Sequence, residues 1–126
     1  MRLNQVTVPS TDVAASVRFY TTLGLQQIVG SETYARFACP DGDATFSVEK
    51  VTEVGGGNAP VVFFECDDLD ATVGVLRDAG LVFESGPQDK RWLWREARLL
   101  DPDGNEVCLF HAGENRLNPP WKLPST

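Results

Sequence analysis

The stretch DVAASVRFYTTLGLQQIVG, Asp12 to Gly30, aligns without a gap on DLDATVGVLRDAGLVFESG, Asp68 to Gly86, an offset of 56 residues. Asp12 matches Asp68, Ala15 matches Ala71, Val17 matches Val73, and Gly24-Leu25 matches Gly80-Leu81. Each copy opens on an Asp whose carboxylate can accept the free N–H groups of a first helical turn. Each then reaches a Gly, which suits the left-handed conformation that ends a helix. Between these caps Val13, Val17 and Tyr20 stand at i, i+4 and i+7, mirrored by Leu69, Val73 and Leu76. The spacing predicts two helices of about three turns, each with one buried stripe.

Strand signals flank both helices. LNQVTV (Leu3–Val8) precedes the first and PVVFFECD (Pro60–Asp67) the second. Three strands are expected after the first helix, at Leu25–Val29, Thr33–Ala38 and Ala44–Val51, and three after the second, at Leu81–Glu84, Trp92–Leu100 and Glu106–His111. A Pro-Asp-Gly turn precedes the last strand of each half, at Pro40–Gly42 and Pro102–Gly104. The reading is a tandem βαβββ repeat, an α+β fold with mixed curved sheets enclosing a cleft where a small molecule would bind. One domain spans residues 1–126, composed of a module 1–54, a module 59–112 and a C-terminal arm 113–126. The linker EVGGGNA, Glu53–Ala59, is flexible by composition. The arm carries three Pro and Trp121, so it is expected to run extended, with Trp121 anchoring it to the domain or a partner subunit.

Hydrophobic residues make up 42% of the chain and charged ones 23%, the balance of an ordinary globular domain. The net charge of −7 argues against a nucleic-acid partner and mildly favours a cationic ligand. No run approaches the ~18 apolar residues of a membrane helix, and the N-terminus MRLNQVTVPS has no long apolar core of a secretion signal. Cys39, Cys66 and Cys108 are odd in number and show no C-x-x-C spacing, so a reducing, cytoplasmic setting is expected.

Three segments together resemble the glyoxalase/bleomycin-resistance/extradiol-dioxygenase superfamily, the vicinal oxygen chelate proteins. They are VPSTDVAASVRFYTTLGL (Val8–Leu25), FECDDLDATVGVLRDAGL (Phe64–Leu81) and WREARLLDPDGNEVCLF (Trp94–Phe110), in this order. The resemblance implies a homodimer with small-molecule cavities. Metal enzymes of this family hold one divalent ion through four side chains, one on the first and one on the last strand of each module. Carried onto this chain, those positions fall at Gln5, Glu49, Val61 and Cys108. Gln is an accepted ligand at the first; Val61 has no donor atom, and Cys108 stands where the family places an acid. The set is therefore expected to be degenerate and no cofactor is expected, a zinc, nickel, manganese or iron ion being the less favoured case. His111, the only histidine, lies three residues from Cys108 and should face the other side of its strand.

Parity predicts a cleft lined by Gln5, Glu49, Phe63, Cys108 and Phe110, with Trp92, Trp94, Arg95 and Arg98 added from the preceding strand. Phe63 and Phe110 also read as plain core, and the Trp pair suits either a planar ligand or a subunit interface. Two function classes follow. One is a metal-free binding protein of the bleomycin-resistance type, sequestering an antibiotic or another cationic or aromatic compound. The other is a glyoxalase-like lyase or isomerase acting on a small oxygenated substrate, with a non-standard metal site, Glu49 as the catalytic base and Cys108 as an unusual acid–base or nucleophilic group. A dioxygenase is disfavoured, because its two-His-one-carboxylate iron site needs more than one histidine.

Overall fold

Both helices form where their caps place them. In the computed structural model, which describes residues 1–55 and 60–124, α1 runs Val13–Leu23 and α2 runs Leu69–Asp78. Asp12 accepts from the Ala15 N–H and Asp68 from the Ala71 N–H, each at 3.1 Å. Gly24 and Gly80 follow the helices at φ +119° and +99°, a region costly for a residue with a Cβ. Linker positions 56–59 and arm positions 125–126 lie outside the described residues.

The strands are β1 Gln5–Ser10, β2 Gln26–Gly30, β3 Tyr34–Ala38, β4 Thr45–Lys50, β5 Val61–Glu65, β6 Phe83–Asp89, β7 Arg95–Leu100 and β8 Glu106–His111. They form two four-stranded sheets, ordered β1-β4-β3-β2 and β5-β8-β7-β6. In each sheet the first and last strands of a module pair in parallel. The chain divides into two units, Met1–Pro60 with Leu100–Asn105, and Val61–Leu99 with Glu106–Thr126.

In the first unit α1 covers one face of its sheet. Tyr20, fully buried, packs on Phe46 and Phe37 at ring separations of 4.4 and 5.9 Å. The predicted stripe is displaced slightly: Ser16 is buried and Val17 only half-buried, because Ser16 bonds the buried Ser10 hydroxyl at 2.6 Å. The loop 100–105 belongs to this unit. Asp101 accepts from the Tyr20 hydroxyl at 2.7 Å, from the Asp103 and Asn105 N–H groups, and from the Asn105 amide, which also donates to the Pro9 carbonyl. Burial, then the Asp101 bond, pushes the Tyr20 hydroxyl well above the ordinary phenol range.

In the second unit Leu69, Val73 and Leu76 are buried on α2, as predicted, along with Val62, Ala97, Leu99, Val107 and Leu109 of the sheet. Two strand boundaries differ from the sequence reading. β6 runs to Asp89 rather than stopping at Glu84, through Gly86 and Pro87, because its pairing with β7 breaks register twice and absorbs the turn-like residues as bulges. β7 begins at Arg95, not Trp92: Leu93 takes a left-handed φ of +68° and closes the turn before the strand.

The arm does not begin extended. A 3-10 turn spans Gly113–Arg116, held at its start by Glu65, which accepts from the Ala112 and Gly113 N–H groups at 2.8 and 3.0 Å. Further along, Trp121 lines a hollow of about 460 Å³ with Arg91 and Trp92. Among the described residues no helix is long and apolar enough to cross a membrane.

Candidate functional site

Strand alternation leaves each sheet one face away from its helix. On the first sheet that face is polar. Gln5 accepts from the Thr45 hydroxyl at 2.7 Å, Thr7 bonds Ser47, and the Arg36 Nε donates to the Tyr34 hydroxyl at 2.9 Å. Across β3 and β4, Arg36 pairs with Ser47 and Tyr34 with Glu49. The Tyr34 phenol lies below its ordinary range, first through its bond with Ser47 and then through the Arg36 bond.

On the second sheet the corresponding face is aromatic. Trp94 stacks on Phe110 at 4.6 Å and 18°, and Phe63 meets both rings edge-on at 6.0 and 5.7 Å. The Arg98 guanidinium carbon lies 5.6 Å from the Phe63 ring centre. Arg98 donates to Glu106 at 2.7 Å and to Glu96 at 3.1 Å, and the Glu106 bond leads the rise of its proton affinity. Glu96 is 2% exposed, yet its second oxygen accepts from the Trp92 indole at 2.7 Å. A buried carboxylate is tolerated here because three donors meet it: Trp92, Arg98 and the Cys108 thiol.

These placements sort the residues singled out from sequence. Phe63, Trp94, Cys108 and Phe110 come together on the second sheet, with Val61 packed at the edge of the group. Trp92 reaches the same face through Glu96. Arg95 does not. It faces α2, bonding Asp70 at 3.0 and 3.2 Å and Asp89 at 3.0 Å, since β7 begins at Arg95 and odd positions of this strand point to the helix. His111 is exposed and bonds the Cys66 carbonyl at 2.8 Å.

Register changes the reading of the first module. Phe63 pairs with Cys108, and the residue 56 positions before Phe63 is Thr7, which pairs with Ser47. Ser47 therefore holds the place that Cys108 holds in the second module. Glu49 pairs with Pro9, four rungs from the Gln5–Thr45 pair, about 13 Å along the strand at roughly 3.3 Å per residue. Glu49 and Gln5 do not share one ion at that span.

The donor set does not fit a divalent metal. Val61 offers no donor, and the Gln5 oxygen is taken by Thr45. The Cys108 thiol, fully buried, is pushed up to about 12 by burial and then by Glu96, and a thiol must lose its proton to bind an ion.

Sequence reasoning missed Glu96, Asp101, Tyr34 and Arg36. Glu96 was detectable in part: it shares parity with Arg98 and Trp94.

Comparison with known proteins agrees with this architecture. A family model described as Glyoxalase/Bleomycin resistance protein/Dioxygenase superfamily matches residues 2–109. The uncharacterized protein YraH of Bacillus subtilis (strain 168) is 32% identical over 126 positions, covering 87% of this chain and 98% of that protein. A crystal structure of a glyoxalase/bleomycin resistance protein/dioxygenase from Nocardioides superposes with a TM-score of 0.77 at 24% identity, covering 98% of this chain and 90% of the other. A bleomycin-binding protein crystallised with bleomycin superposes with a TM-score of 0.70 at 20% identity, covering 88% and 98%. The chain belongs to the glyoxalase/bleomycin resistance protein/dioxygenase superfamily.

Proposed function

We propose that this protein binds a small cationic or aromatic molecule, in the manner of sequestration, and works without the divalent ion of the family's metal enzymes. The observation that carries the reading is the open face of the second sheet. Where the resemblance calls for a metal-binding acid, the chain has a buried, proton-retaining Cys108 beside a Phe63–Trp94–Phe110 cluster. Phe63 is 43% exposed, so one ring is open to a planar partner. The polar groups beside it are two carboxylates, Glu96 and Glu106, against one guanidinium, Arg98. That balance favours a positive ligand, as does the net charge of −7. The fold-level likeness to a bleomycin-binding protein supports the same class of ligand.

Metal analysis of the purified protein, paired with thermal shifts on adding zinc, nickel, manganese or iron, tests the reading. Expected are no bound ion, no metal shift, and stabilisation by a cationic glycopeptide such as bleomycin. A stoichiometric ion that is lost in Glu49→Ala, or turnover of a hemithioacetal, overturns it in favour of a glyoxalase-like lyase. We also propose a cytoplasmic homodimer. The family resemblance supports the dimer, which sedimentation tests, and the three free cysteines fit a reducing compartment.

A further inference from the structure

We propose that Arg36, beside Tyr34 on the open face of the first sheet, is an anion site that takes the carboxylate or phosphate group of a small molecule. The arginines of this chain differ in their partners. Three are half-buried: Arg36, Arg95 and Arg98. Arg95 is held by Asp70 and Asp89, and Arg98 by Glu96 and Glu106. Arg36 has no carboxylate partner among the described residues, in a chain with 18 acidic side chains to 11 Lys and Arg. A guanidinium drawn partly out of water without a counter-charge is costly unless something supplies one.

The geometry leaves the right part of Arg36 free. Among the described residues only its Nε is engaged, donating to the Tyr34 hydroxyl, and its guanidinium carbon lies 5.5 Å from the Tyr34 ring centre. The four remaining N–H donors form the outer fork, which meets a two-oxygen anion side-on. The backbone holds the fork in place. Ala35 and Phe37, on either side of Arg36 in β3, are fully buried, and Arg36 is paired to Val29 on one strand and Ser47 on the other. Hydroxyls of Thr7, Ser47 and Tyr34 surround the position and can complete the anion's hydrogen bonds. Glu49 stands two rungs along, opposite Tyr34 and exposed. Its charge repels an anion from that end of the row and confines it to the Arg36 end. This site lies on the other sheet from the aromatic face, so it stands or falls apart from the ligand reading above.

Tyrosine ionisation supplies the test. The chain has two tyrosines, and Tyr20 is buried and held protonated to high pH, so the first phenolate to form on alkaline titration is Tyr34. The Ser47 bond leads the lowering of Tyr34 and Arg36 adds to it; an anion on Arg36 removes the Arg36 share. Adding benzoate, or inorganic phosphate, to the full-length protein at constant ionic strength should therefore move the Tyr34 absorbance transition to higher pH, saturably. Whichever anion saturates at lower concentration names the group the site takes. Arg36→Gln should abolish the shift. Arg36→Lys, which keeps the charge and loses the fork, should weaken binding about tenfold, and it keeps the test decisive if Arg36→Gln does not fold. No saturable shift with either anion, an equal shift in Arg36→Gln, or unchanged affinity in Arg36→Lys overturns the proposal.

Discussion

The two sheets share one plan, a parallel outer pair, two antiparallel strands and one covering helix, yet their open faces differ in kind. Around Ser47 the first sheet places Thr7, Arg36 and Tyr34, joined by hydroxyl and guanidinium hydrogen bonds. Around Cys108, the counterpart of Ser47, the second sheet places Phe63, Phe110, Trp94 and the buried Glu96. Duplication has kept the backbone register while the facing side chains have separated into a polar row and an aromatic one. The lesson is that backbone hydrogen bonding specifies a sheet without specifying its exposed face, so the two copies were free to acquire different chemistry. The two Pro-Asp-Gly turns differ in the same way. The residue before the second is the buried Asp101, acceptor of four hydrogen bonds, whereas the residue before the first is Cys39, half-buried and raised in proton affinity by burial alone.

The turns carry the largest expected difference. Asp101→Ala strands the Tyr20 hydroxyl, the Asn105 amide and two backbone N–H groups, a loss of about 3 kcal/mol or more. Cys39→Ala should stay within about 1 kcal/mol. Urea unfolding compares them, and equal losses would remove the asymmetry claimed for the two loops. Next in size is Glu96→Gln, expected to cost about 2 kcal/mol because it weakens the charge-assisted bonds to Arg98 and Trp92. Ser47→Ala, on the polar face of the first sheet, should cost about 1 kcal/mol. Trp92 fluorescence should change in Glu96→Gln alone; a change of the same size in Ser47→Ala breaks the contrast.

For ligand binding, Phe63→Ala should weaken a planar cation about tenfold, since a ring–cation contact contributes roughly 1–2 kcal/mol. Thr7→Val on the first sheet should leave that affinity unchanged. Calorimetry decides, and equal losses would mean the aromatic face is not the site. The smallest effect on ligand binding is that of Cys108. Its proton is held up to about pH 12 in the folded chain against an ordinary value of 9.0. Its contribution to stability is therefore whole below pH 9 and is lost as pH rises through 12, because the unfolded chain releases the proton first. Cys108→Ser should flatten that part of the alkaline decline while leaving ligand binding nearly intact. A strong loss of binding in this variant would restore a direct role for the thiol.

Much of the fold was legible because its signals are local. Asp12, Asp68, Gly24 and Gly80 act through their own backbone neighbours, and the stripe Leu69, Val73, Leu76 follows from helical pitch. The candidate site was legible only in composition: Phe63, Trp94, Cys108 and Phe110 were identified as facing residues and do share one face. Arg95 falls on the helix side because its parity is opposite to that of Trp94 and Arg98, so an expectation that grouped all three on one face breaks strand alternation at Arg95. Glu49 is the only acid in its strand, which makes it the natural candidate by composition, but pairing with Pro9 places it two rungs past the place Ser47 holds. The arm's first turn escaped notice because Glu65, far back in the chain, holds it.

The sequence by itself determined the duplicated βαβββ plan, the helix ends and the lack of a side-chain donor atom at Val61, since each depends on residue type and short-range spacing. Only the tertiary structure decided that Ser47 answers to Cys108, that Glu96 lies buried under Trp92 and Arg98, and that, among the described residues, Arg36 alone of the half-buried arginines lacks an acid. Those are facts of register and of partners distant in sequence. Strand pairing and burial set them, and neither is written in any single segment.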